Sequence, residues 1–131
     1  MQARKIAIFF LSLFIWGFST AVEPQKVSGI YSNLKFNKES GDLSGMELLI
    51  IPNGKGANLE YVVLVQISEG GAPFSALVPL KMVGPKFEFT LPTGRNYDRQ
   101  HFTGVFKGTG IVIRWSQGDE EHLKRGKSYW Q

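Results

Sequence analysis

His101 and the residues just before it, Tyr97, Asp98 and Arg99, are the densest group of chemically capable side chains in this chain. An imidazole titrates near neutral pH and becomes a general base when a carboxylate orients it. His101 with Asp98, or with Glu47 brought in from elsewhere, is therefore the pair from which a small hydrolase or lyase would be built. The nucleophile such an enzyme would use has no signature here. Ser75, Thr103 and Ser116 stand in no strand–turn–helix elbow. His101 reads more simply as a strand-end surface residue. Arg95, Tyr97, Asp98, Arg99 and His101 then become a polar loop suited to contacting a partner.

Other charged groups point to turns and solvated arms. Glu39, Asp42 and Glu47 cluster around Ser40-Gly41-Asp42, but a calcium loop needs denser oxygen ligands, and Asp before a strand builds turns. Asn53-Gly54-Lys55-Gly56 lacks the rest of a phosphate-loop pattern and reads as a hairpin turn. His122 follows Asp119, Glu120 and Glu121 and precedes Lys124, Arg125 and Lys127, the pattern of a solvated hairpin arm. The chain has no cysteine and two histidines. That excludes thiolate chemistry and cysteine metal sites, and no metal or other cofactor is expected.

The aromatic residues carry a different message. Tyr31, Phe36, Tyr61, Phe74, Phe87, Phe89, Phe102, Phe106 and Trp115 are spread over the chain, and aromatics dominate burial in small cores. Should the core enclose a cavity, Tyr31, Tyr61, Phe89, Phe102 and Trp115 are the residues expected to line it. Tyr129 and Trp130 close the sequence. Chain ends are disordered unless docked, so this pair is expected to pack back, as a plug in one end of the fold.

Short runs rich in β-branched and aromatic residues must position these groups. The expected strands are Gly29–Phe36, Met46–Ile51, Leu59–Ser68, Ser75–Val83, Lys86–Leu91, His101–Lys107, Gly110–Ser116 and Glu121–Arg125. Gly- and Asn/Asp-rich turns separate them. Apolar residues alternate with polar ones: Phe87, Phe89 and Leu91 against Glu88 and Thr90, and Ile111, Ile113 and Trp115 against Arg114. In the first strand, Ile30, Leu34 and Phe36 are expected on one face, opposite Tyr31, Asn33 and Lys35. Leu59, Tyr61, Val63, Val65 and Ile67 form a face, and Val62 and Leu64 on the other side suggest cover on both sides. No stretch beyond residue 21 has a helical period, and short links imply antiparallel neighbours. The expectation is an all-β, single, small antiparallel up-and-down barrel of about eight strands; the alternative is a curved open sheet or sandwich. Pro92–Gln100 is the longest irregular link.

The first 21 residues read as a secretory signal peptide. Arg4 and Lys5 precede the apolar run Ile6–Phe18, and Ser19-Thr20-Ala21 offers small residues for cleavage near Ala21. A run of that length falls short of the roughly 20 residues of a spanning helix. Removing it leaves residues 22–131 as a single soluble domain, periplasmic or secreted, with no stable membrane insertion. The 15 basic and 11 acidic residues give +4; without Arg4 and Lys5 the balance is +2, which does not argue for nucleic acid.

Gly29-Ile30-Tyr31-Ser32, the turn Glu39-Ser40-Gly41-Asp42, and the ending Lys127-Ser128-Tyr129-Trp130 resemble a family of short exported bacterial proteins of unknown function. The resemblance implies a compact β fold and no activity. The Gly-x-Tyr opening is also loosely similar to avidin-type and lipocalin-type barrels. Three functional readings follow. The first is an exported non-enzymatic binding module for a small apolar or amphipathic ligand, or for an envelope partner. The second is a structural or inhibitory protein that meets another macromolecule through Pro92–Gln100 and the Glu120–Lys127 arm. The third is the hydrolase built on His101.

Overall fold

The computed structural model describes residues 26–93 and 97–131. Nine strands run in chain order: β1 (Gly29–Ser32), β2 (Lys35–Asn37), β3 (Asp42–Asn53), β4 (Glu60–Glu69), β5 (Phe74–Val83), β6 (Lys86–Thr90), β7 (His101–Lys107), β8 (Gly110–Trp115) and β9 (Glu120–Gly126). From β3 onward each strand pairs antiparallel with the next. β1 pairs with both β3 and β9, so the sheet closes into an eight-stranded up-and-down barrel. β2 is the extra strand, laid against the start of β3. Closure satisfies the edges that an open sheet would expose.

The expected strands are found, with shifted ends. His101–Lys107 has the expected bounds, whereas β3 runs from Asp42 to Asn53 instead of Met46–Ile51, because β2 and β4 both extend its pairing. The first expected strand is divided. At Asn33 the chain steps out of register: its side-chain Oδ1 accepts the Met46 N–H at 2.7 Å, while its own N–H donates to the Met46 carbonyl at 3.0 Å. This step shifts the alternation by one residue, and one residue swaps faces. Tyr31 and Leu34 are therefore buried, Ile30 is only partly covered, and Phe36 is half exposed. The single face expected for Ile30, Leu34 and Phe36 does not form.

The ladder registers order the inner wall. Ile50, Val63 and Val78 are cross-strand partners, as are Leu48, Val65 and Ala76, and Met46, Ile67 and Phe74. Further round, Phe89, Phe102 and Trp115 align, as do Phe106, Ile111 and Leu123. These side chains form one buried cluster, which replaces disulfides as the source of stability. β4 has the predicted inward set Tyr61, Val63, Val65 and Ile67, with Val62 and Leu64 partly covered on the outside; Leu59 lies just before the strand and is exposed.

One seam is short. β3 and β4 share a ten-residue register, but β5 and β6 are paired only through Lys81–Val83 and Lys86–Glu88. Pro79 lies beyond that short ladder, in the part of β5 that pairs only with β4 among the described residues. A proline there fits a strand edge, since it has no N–H to donate.

Candidate functional site

The interior comes first, because the ligand-lining residues were expected there. Tyr31, Phe89, Phe102 and Trp115 are buried in the core, and Tyr61 is half-buried at its margin. The rings touch in a continuous series. Tyr31 meets Phe106 at 5.9 Å, Phe106 meets Phe87 at 5.1 Å, and Phe87 meets Phe89 at 6.4 Å between centroids. Phe89–Phe102 (5.0 Å), Phe102–Trp115 (4.7 Å), Trp115–Tyr97 (6.0 Å) and Tyr97–Phe74 (5.4 Å) continue it. This series of rings runs through the core, with edge-on, tilted and stacked contacts of the kind aromatic quadrupoles favour.

Both ends are held by polar groups. At one, Arg125 lies 5.7 Å from the Tyr31 ring centroid. Its guanidinium donates to the carbonyls of Lys26 (2.8 Å) and Ser28 (2.5 Å). The Tyr31 hydroxyl donates to the Val27 carbonyl at 2.9 Å, and burial pushes the Tyr31 pKa up against the opposing pull of Arg125. At the other, Asn33 Nδ2 donates to Glu121 at 2.6 Å. Tyr97 packs beside it on Phe74 and Trp115. Burial, then the charge of Glu69 and a hydrogen bond to it, raises the Tyr97 pKa to about 12.

The expected contact loop is thus divided. Tyr97 turns inward as part of the core wall, whereas Asp98 and Arg99 are exposed, Arg99 with φ of 54°. Arg95 lies outside the described residues. His101 sits on the outer face of β7. Its Nδ1 is 2.9 Å from the Thr90 hydroxyl and its Nε2 is 3.7 Å from Glu88. The Ser116 hydroxyl donates to the His101 carbonyl at 2.8 Å. The carboxylate facing the imidazole is therefore Glu88.

Glu47 has a different task. It points out of the barrel, yet it is only 6% exposed because the C-terminus covers it. Its carboxylate accepts the Ser128 hydroxyl at 2.5 Å and the Tyr129 N–H at 2.8 Å. Trp130 Nε1 donates to Gln66 at 2.7 Å, and Trp130 shares a shallow pocket with Ile30, Leu49 and Leu64. The tail packs back as expected, but on the outer wall of β1, β3 and β4, not as an end plug. Glu39 and Asp42 stay exposed at the β2–β3 turn. Among the described residues no three acidic or histidine side chains converge on a common point.

A groove of about 460 Å³ lies on the opposite wall, across β5, β6, β7 and β8. Two cross-strand rows build it. The first is Val83, Lys86, Val105 and Val112; the second is Lys81, Glu88, Thr103, Arg114 and Glu120. The valines give an apolar floor. In the second row the charges alternate and satisfy one another: Lys81 with Glu88 at 3.4 Å, and Arg114 with Glu120. The Arg114 hydrogen bond and charge hold the Glu120 carboxyl below its usual range. Gly104, between the outward Thr103 and Val105, faces inward: a Cβ there would collide with the Phe87 ring, which fills that space from inside.

Sequence reading missed this groove. Alternation marks Glu88, Thr103, Val105 and Val112 as outward-facing, but which of them become neighbours depends on register between four strands. Comparison with family models, curated proteins and solved structures finds no match for the chain.

Proposed function

We propose that this chain is an exported, non-enzymatic binding module that takes its ligand on the outer wall of its barrel. The observation that carries this reading is the contrast between the two candidate sites. The interior is occupied by the aromatic series, while the β5–β8 wall offers about 460 Å³ with an apolar floor between charged borders. That is the composition of a site for an amphipathic molecule. The residues of the hydrolase reading are otherwise engaged: Glu47 by the tail, His101 by Thr90 and Glu88.

The test is the native mass of the protein recovered from the exported fraction, compared with its denatured mass. The expected result is a ligand-sized excess that vanishes on denaturation and is lost in Val105→Asp. An excess that survives Val105→Asp would overturn the wall site. Identical masses, together with unmoved Val105 and Val112 amides when amphiphiles are added, would overturn the reading altogether.

A second reading, docking of an envelope protein, is favoured by one observation. Ile30, Leu49, Leu64 and Leu77 form a cross-strand row on the outer wall; Trp130 packs over its first three residues, and Leu77 at its end is 63% exposed. A photo-crosslinker at position 77 that captures a single envelope protein in the exporting cell would support it; a crosslink to none would count against it.

A further inference from the structure

We infer that the ligand of the β5–β8 groove is a singly charged anion with an apolar body, its acidic group held by Lys86. This rests on the wall-site reading and names the chemistry of its occupant. The argument is one of charge balance. Groove row two carries two cations and two anions, and the Lys81–Glu88 and Arg114–Glu120 ion pairs consume them all. His101 and His122 approach the same two acids, at 3.7 and 3.9 Å. Row one is different. Lys86 lies between Val83 and Val105 in the ladder, lines the groove, and is in no ion pair among the described residues. The one uncompensated charge in the concavity is therefore positive, and it is set among valines.

A complementary molecule has one acidic group to meet the Lys86 ammonium and an apolar portion to cover Val83, Val105 and Val112. A cationic amphiphile would place its charge against Lys86. A neutral one would use the floor but leave the ammonium unanswered. A dianion would bring a second charge to a row whose cations are already paired with acids, so only one of its charges would be answered. Gly104 and Phe87 line the groove beside the valines that the body would cover. Fatty carboxylates and aryl carboxylates or sulfonates share this chemistry.

Three ten-carbon probes distinguish the outcomes: decanoate, decyltrimethylammonium and neutral decyl maltoside, each titrated into the intact protein and followed by amide chemical shifts. Decanoate is expected to bind tightest and to move Gly104, Val105 and Val112. Lys86→Glu should weaken it by about five- to tenfold, and Lys86→Arg should leave it bound. Lys86 is solvent-exposed, so both variants are expected to melt as the parent does. Equal binding of all three probes in the groove, or indifference of decanoate to Lys86→Glu, would overturn the anion assignment while leaving the wall site standing. Tighter binding of the cation would do the same. Groove amides unmoved by any probe would overturn both.

Discussion

Single side chains decide where this barrel can be altered. Gly29 has φ of +150°, and a Cβ there would sit 2.8 Å from the Arg125 guanidinium that holds the Lys26 and Ser28 carbonyls. Gly29→Ala is expected to destabilise the protein by about 1–3 kcal/mol, measured by urea unfolding. Gly104→Ala pushes a methyl into the Phe87 ring and should cost about 1–3 kcal/mol by overpacking. Phe87→Leu in the same chain should recover part of that loss, a coupling that separates a local clash from a general strand effect. Tyr97 gives a pH signature. Its pKa rises from the usual value near 10 to about 12 in the fold, so the unfolded chain loses this proton first. The stability it contributes is complete below pH 10 and fades as pH climbs from 10 toward 12. Alkaline unfolding midpoints should accordingly fall less steeply in Tyr97→Phe than in the parent. None of these roles was legible in residue type. Tyr97 belongs to a polar run and was expected in a contact loop; its partners, Phe74 and Trp115, lie on strands that sequence spacing does not connect.

Strands and tail behave as units with different strengths. Strand positions were largely readable, because alternation such as Phe87-Glu88-Phe89 records which side faces the core. The exception is instructive: Ile30, Leu34 and Phe36 keep a period of two in sequence, but the Asn33 step breaks it in space. An asparagine side chain that takes a backbone role leaves no mark in hydropathy. Pairing length then predicts local stability. The ten-residue β3–β4 ladder should protect its amides longest, whereas Ser75–Val78, beyond the short β5–β6 ladder, should exchange early. Hydrogen exchange followed residue by residue checks this. The C-terminal tail is tied by the Glu47 carboxylate and by Trp130 on Gln66. Glu47→Ala removes both acceptors and should free Ser128–Gln131 to carboxypeptidase, losing about 1–3 kcal/mol of tail docking.

At the scale of the molecule, architecture was more legible than site. Turn spacing, absent helical periods and the aromatic count together implied a closed antiparallel barrel, and the barrel is closed. The same aromatics are the residues expected to line a cavity, and in the fold their rings contact one another within the core. Whether a ring fills a core or lines a void depends on the barrel's girth and on ring orientation, neither of which is a property of one strand. Closure through β1 also fixes an order of events. Ile30–Ser32, near the start of the folded chain, must meet Lys124–Gly126, close to its end. The final seam therefore joins segments about 90 residues apart, a long-range pairing whose chain-closure entropy must be met before its contacts reward it. Until it forms, the chain is a curved sheet with two unpaired edges, and the meeting of β1 with β9 is the event that locks it.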